Sequence, residues 1–209
     1  MVTAASRLSS YWQMDKLNDQ HFINLVIGGD THAFAILVDR YKNMVFTLSM
    51  KMLQSHEEAE EAAQDSFLKV YKSLEKFKSE SKFSTWLYKV TYNTCLDRLK
   101  SKKRNALHLS VNDFEEKDLI SLTNVLDTIE SRERKQVIQK CLDQLPAEDR
   151  FLLTLYYFQE NSLKEISKIM GINENNLKIR LYRSRIKIAG ILKTKLEPQL
   201  INQYENERW

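Results

Sequence analysis

Apolar residues recur at three- and four-residue intervals along most of the chain, the period of helices buried on one side. The stretch DQHFINLVI, beginning at Asp19, opens a first helix, and Gly28–Gly29 stops it. Asp30 caps a second helix with the apolar stripe Phe34, Leu37, Tyr41, Val45 and Leu48. Ser55 and Glu58 have capping-box spacing ahead of an acidic third helix, which turns Ala59, Ala63, Phe67, Val70 and Leu74 inward. The polar segment EKFKSESKFS has no apolar period and reads as a loop. TWLYKVTYNTCLDRLKSKKR then predicts a helix with an aromatic start and a basic end.

The period weakens over residues 105–126, an acidic linker, and resumes at a capping box of Asp127 and Glu130. That helix runs to about Asp143, where Leu145–Pro146 breaks it, and Pro146 suits the first turn of the next. Ser162 and Glu165 form a further capping box, with Leu163, Ile166 and Ile169 on the apolar side. Gly171 ends this helix and Asn173 caps another, whose stripe is Leu177, Leu181, Ile188 and Leu192. Two helices about a tight Gly-containing turn, the second basic, make a helix-turn-helix pattern. Pro198 is expected to end the ordered part. The fold class is all-α: two small helical domains of about four helices, each with its own core, joined by a linker.

Composition agrees. Four Gly and two Pro in 209 residues are too few for a turn-rich β protein. The net charge of +4 is modest but unevenly spread. RLKSKKR (98–104) and residues 178–187 are basic, whereas EEAEEAAQD (57–65) and NDFEEKDL (112–119) are acidic. Such separation implies one anionic and one cationic partner. Cys95 and Cys141 have no metal-ligand spacing and read as small buried side chains. No secretory signal and no membrane-length apolar run occurs, which leads us to expect a soluble, cytoplasmic protein with no membrane insertion. There is no Gly-rich phosphate loop, no nucleophile motif and no partner spacing among His21, His32, His56 and His108. An enzyme is therefore not expected, nor a metal or cofactor.

Three constellations carry chemistry. On the basic helix, Asn176, Arg180, Arg183 and Lys187 form one flank, and Lys178, Tyr182 and Arg185 the other. Cations on both flanks fit a major groove walled by phosphates; snorkelling Lys and Arg on an ordinary amphipathic helix are the plainer reading. Ile179 and Ile186 point away from the apolar stripe, toward thymine methyls, a protein partner or simply solvent. Between residues 77 and 104, Phe77, Phe83, Trp86, Tyr88 and Tyr92 interleave with Lys78, Lys82, Lys89 and Arg98. Rings for bases and cations for phosphates suit an unstacked strand, although part of this set, Trp86 first, also suits a core. Glu57, Glu58, Glu61, Gln64 and Asp65 would repel DNA. They form either a solvated face or a docking surface for a cationic protein.

Both halves resemble the extracytoplasmic-function type of sigma-70 transcription initiation factor, over about residues 15–195. EEAEEAAQDSFLKVYKSLEKF is similar to sigma region 2.2, and FSTWLYKVTYNTCLDRLK to the promoter-reading segment, with Trp86, Leu87, Asn93 and Asp97 in place. LPAEDR, SLKEISKIMGI and NNLKIRLYRSR are similar to region 4. Ala62–Ala63, Asn161 and Ile179 depart from the usual residues. The resemblance implies region 2 over 15–104, a linker over 105–126 and region 4 over 127–195, which leaves a flexible N-terminal tail at 1–14 and a C-terminal tail at 196–209. It implies docking on core RNA polymerase (β′ and β subunits) through Glu61, Gln64, Asp65 and Phe67. It implies −10 recognition and melting by Lys82, Phe83, Trp86, Lys89, Tyr92, Asn93 and Arg98. It implies −35 recognition by Asn175, Asn176, Lys178, Ile179, Arg180, Arg183 and Lys187. The partners would be core polymerase and promoter DNA, duplex and melted, with room for an anti-sigma factor and a stress or envelope-response regulon. A plain duplex-binding regulator would not need the aromatic segment, and a DNA-free interaction protein would not need so lopsided a basic helix.

Overall fold

The computed structural model describes residues 18–105 and 138–206, and the side chains of all of these except 102–105 and 193–206. Seven α-helices have defined bounds among them: α1 (Asp19–Ile27), α2 (Thr31–Leu53), α3 (His56–Ser73), α4 (Phe83–Asn105), α5 (Ala147–Tyr157), α6 (Leu163–Met170) and α7 (Glu174–Asn206). A 3-10 turn, Leu74–Lys76, follows α3, and residues 138–142 are helical ahead of α5. The described residues contain no strand, and the all-α expectation holds. The expected tail 1–14, nearly all of the linker and the capping box at Asp127 and Glu130 lie outside the described residues.

Local signals set the helix ends. The Asn18 side chain accepts from the Gln20 N–H, and that of Asp30 from the His32 N–H at 2.9 Å. Between them Gly29 turns the chain at φ +101°, where a β-carbon would be strained. Ser55 accepts from the Glu58 N–H at 3.4 Å, only one half of the expected box. Ser162 and Glu165 make both halves, and Gly171 closes α6 at φ 69°. The Asn173 carboxamide accepts from the Asn176 N–H at 2.8 Å. Pro146 stands one place earlier than expected, as the N-cap of α5. α4 begins at Phe83, because its ring is buried there and fixes the first turn. α7 runs through Pro198 to Asn206, contrary to expectation. A proline removes one rung of the hydrogen-bond ladder, and this 33-residue helix continues past it.

The inward stripes are those of the apolar period. Leu37, Val45, Leu48, Ala59, Val70, Leu87 and Cys95 are fully buried where α2, α3 and α4 meet. Ala62 and Ala63, the small residues of α3, are buried in the same packing. Ile166, Ile169, Leu177 and Leu181 close the core of the helix-turn-helix. The cores are not separate. α5 packs on α2 and α6 on α4, and the buried residues of both halves form one apolar cluster. The rings of Tyr92 and Phe151 meet across this junction at 4.9 Å.

Candidate functional site

The acidic face belongs to α3. Glu61, Gln64, Leu68 and Tyr71 recur at three- and four-residue steps, so they share one side of the helix, and all four are exposed. Leu68 is 56% exposed, a large apolar residue left on a polar face. Its position off the inward stripe was the sequence signal for it. Phe67, expected on this surface, is instead 9% exposed and packs edge-on against Phe34. It is one step round the helix from Leu68, and the period that carries Ala63 and Val70 carries it inward.

Arg98 joins this face from α4. Its guanidinium donates to Glu61 Oε2 at 2.7 Å and to Asp65 Oδ2 at 2.5 Å. These two hydrogen bonds, with the carboxylate charges, hold its pKa above the usual arginine value. Nine residues separate it from Lys89, about half a turn out of phase, so the two cations leave α4 on opposite sides. Arg98 therefore orients the acidic pair rather than sharing a surface with the other expected −10 residues.

That second surface is built where the loop after α3 enters α4. Phe77, Phe83 and Trp86 pack edge-on or tilted at centroid separations of 5.2–6.0 Å, and Tyr41 meets Phe83 at 5.6 Å. The ring cluster holds Trp86 half-buried at the surface. Lys82, Lys89 and Asn93 are exposed beside it. Trp86, Lys89 and Asn93 follow at steps of three and four, and so form one face of α4. Phe83 and Tyr92 do not reach this surface: each is 3% exposed. Phe83 is the floor of the ring cluster, and Tyr92 is covered by Phe151. Burial raises the Tyr92 hydroxyl to a pKa of about 12. Lys82 reaches Glu165 Oε1 at 2.8 Å.

The third surface is the start of α7. The cap at Asn173 leaves Asn175, Asn176, Lys178 and Ile179 exposed in the first turns, with Arg183 exposed one turn on. Arg180 and Lys187 are engaged. Arg180 donates to Glu148 Oε2 at 2.5 Å and to Asp149 Oδ1 at 2.8 Å, and Lys187 reaches Asp149 Oδ2 at 3.2 Å. Both acids lie in the first turn of α5, where a helix N-terminus favours anions. Pro146, Asp149, Asn176, Ile179, Arg180 and Arg183 line a shallow groove along α7. Arg185, read from the sequence as part of the second flank, turns back instead over the Tyr156 and Tyr157 rings at 5.5 Å.

Cys95 and Cys141 are buried, and burial raises the Cys95 thiol to a pKa of about 11. Among the described residues no cluster of three His, Cys, Asp or Glu side chains could hold a metal ion, and no helix is long and apolar enough to cross a membrane.

Residues 37–105 match the family model for Sigma-70 region 2, and residues 135–188 that for Sigma-70, region 4. The ECF RNA polymerase sigma factor SigW of Bacillus subtilis is 34% identical over 170 residues, which are 78% of this chain and 90% of that protein. The RNA polymerase sigma-H factor of Pseudomonas aeruginosa is 30% identical over 174 residues, 80% of this chain and 90% of its own. Among solved structures, the sigma factor RpoE from Bartonella quintana, crystallised in complex with the anti-sigma factor NepR, has a TM-score of 0.57 at 18% identity. The match covers 77% of this chain and 96% of that one, and is a likeness of fold alone. With an acidic face, an aromatic-cationic surface and a capped basic helix in the order of two sigma regions, this chain belongs to the extracytoplasmic-function group of sigma-70 factors, whose function is promoter recognition in transcription initiation.

Proposed function

We propose that the three surfaces divide the work of initiation. Glu61, Gln64 and Leu68 on α3, with Asp65 held by Arg98, dock the chain on core RNA polymerase at its β′ subunit. Phe67 supports this face from beneath. Trp86, Lys82, Lys89 and Asn93 take the melted −10 strand: the ring face stacks on a base, the lysines meet phosphates and the carboxamide hydrogen-bonds a base edge. Asn175, Asn176, Lys178, Ile179 and Arg183 enter the major groove at the −35 element, as the N-terminal part of a recognition helix does. Arg180 and Lys187 are oriented by the acids of α5 and sit at the groove's edge, within reach of phosphate. The chain acts as a non-catalytic factor, in the cytoplasm, on a stress or envelope-response regulon, and an anti-sigma factor is a further partner. The observation that carries this reading is the single face of Trp86, Lys89 and Asn93 on α4, with the half-buried Trp86 held in a ring cluster and the other two exposed beside it.

Permanganate footprinting with core polymerase tests it. A Lys89→Ala/Asn93→Ala chain should bind core polymerase normally and fail to open the −10 region. Normal melting in that variant would remove the assignment.

A further inference from the structure

Ile179 is an aliphatic side chain left in water at the polar start of α7. It is 52% exposed, and it shares a face with Asn176, three residues before it, and Arg183, four residues after it. All three line the shallow groove along the helix. The inward stripe does not account for it, because Leu177 and Leu181 on either side are buried and Ile179 points off their line. Ile186, the other isoleucine off the stripe, is half-buried and does not share this exposure.

A single exposed isoleucine is ordinary on a protein surface. Two features set this one apart. The neighbour that could lie over it is drawn aside: Arg180 turns its guanidinium to Glu148 and Asp149 at the start of α5. Its place is also fixed before anything binds. The Asn173 carboxamide accepts from the Asn176 N–H at 2.8 Å and holds the first turn, while Leu177 and Leu181 anchor the helix from beneath. A β-branched side chain on a helix keeps essentially one χ1 rotamer. Covering its methyl groups therefore costs little side-chain entropy.

The chemistry of base edges then selects a partner. Thymine presents a methyl group in the major groove, where the edges of adenine, guanine and cytosine are marked by donors and acceptors. An isoleucine would strip those polar atoms of water without pairing them. It attracts one base and works against the others. Helix residues rise about 1.5 Å each, so Ile179 stands about 4.5 Å from Asn176 and about 6 Å from Arg183 along the axis. Base pairs rise about 3.4 Å, which puts the bases met by these side chains within about two steps of one another.

We propose that Ile179 is a specificity-determining residue of this chain, which selects a thymine in the −35 element by packing on its 5-methyl group, within about two base pairs of the base that Arg183 reads. This deepens the reading of α7 as the −35 helix and rests on it.

The test removes the methyl group from the DNA. Holoenzyme formed from the full chain and purified core polymerase first selects promoter duplexes from a random pool, which defines the −35 element. That duplex is remade with uracil in place of each thymine of the element in turn, which deletes one methyl group and leaves the hydrogen-bonding edge intact. Competition binding compares the parent with Ile179→Val and Ile179→Ser, and circular dichroism confirms that both variants keep their helices. The parent should lose about three- to fivefold in affinity at one thymine, the worth of one buried methyl group. Ile179→Val should keep most of that loss and Ile179→Ser none of it. An equal loss in the parent and Ile179→Ser, or no loss in either, would overturn the proposal while a selected −35 element leaves the reading of α7 standing. If Ile179→Ser lowers transcription while uracil is neutral, the residue faces a protein and the proposal is likewise overturned. A pool that yields no shared −35 element would overturn the reading of α7 itself.

Discussion

Arg150→Met is the substitution whose effect follows most directly from the structure. Methionine keeps the length and the apolar stem but removes the fork that serves four carbonyls. Two acceptors, those of Lys51 and Asp143, are part-buried and can turn to water once the guanidinium is gone. The other two, those of Met52 and Leu145, lie in buried bonds and are left unsatisfied. A stranded buried acceptor costs about 1–3 kcal/mol, so the gross loss is about 2–6 kcal/mol. Burial already disfavours the charged guanidinium and lowers its pKa, so relief of that desolvation returns part of the loss. The net expectation is about 2–4 kcal/mol. For a chain of this length each kcal/mol moves Tm by about 2–4 °C, which gives a fall of about 4–16 °C in thermal unfolding followed by circular dichroism. Arg150→Lys keeps the charge without the fork and should recover less than half of the difference. A Tm within about 1 °C of the parent for Arg150→Met would mean that the guanidinium does not join the two halves.

Other outcomes follow from the same geometry. Asp65→Lys puts a cation beside Arg98 and should weaken core-polymerase binding by about 1.5–7 kcal/mol, the range for close interfacial charge pairs, with the fold intact; an unchanged titration would remove the docking assignment. Lys178→Ala should weaken all −35 duplexes alike and lower the log–log salt slope by about one, whereas Arg183→Ala should cost about 1–3 kcal/mol and relax preference at one or two positions; identical behaviour would leave a basic helix without readout. Leu177→Ala empties a fully buried site and should cost about 2–5 kcal/mol in urea unfolding. The Lys82 hydrogen bond and the Ser162 backbone N–H hold the Glu165 pKa down to about 2, from an ordinary value of 4.5. A depressed carboxylate stabilises the fold fully above the unfolded value, so the advantage of the parent over Glu165→Gln should be complete above about pH 4.5 and gone near pH 2; a pH-independent difference would contradict the pairing.

Short-range signals were the legible ones. Asp30, Ser162 with Glu165, Gly171 and Asn173 act within four residues of themselves, and each stands where its type and spacing place it. The inward stripes were legible for the same reason, since the period of a helix decides which side chains leave water. Arg150 shows what was not. It stands in the motif LPAEDR, but its partner carbonyls at Lys51 and Met52 lie 99 and 98 residues away. No local pattern encodes that distance, and without it Tyr92 reads as an exposed ring rather than one beneath Phe151. Phe83 was assigned to a surface by residue type and packing turned it inward, whereas Phe67 was put on the docking surface by the family resemblance against its own inward period, and the period held. Arg98 was grouped with the other cations of its segment; its half-turn offset from Lys89 was readable from spacing, but its pairing with Glu61 and Asp65 needed α3 and α4 side by side. Leu68 is the converse case, an exposed apolar residue that the sequence reading left unassigned although its off-stripe position was readable.

The most direct measurement is run-off transcription with purified core RNA polymerase on a pool of promoter-like DNA, with and without this chain. We expect discrete transcripts that appear only when the chain is present, from templates sharing a −35 and a −10 element, and that disappear with Lys89→Ala/Asn93→Ala while core binding persists. A folded chain that binds core polymerase yet selects no template over the polymerase alone would contradict the assignment of its surfaces to promoter recognition.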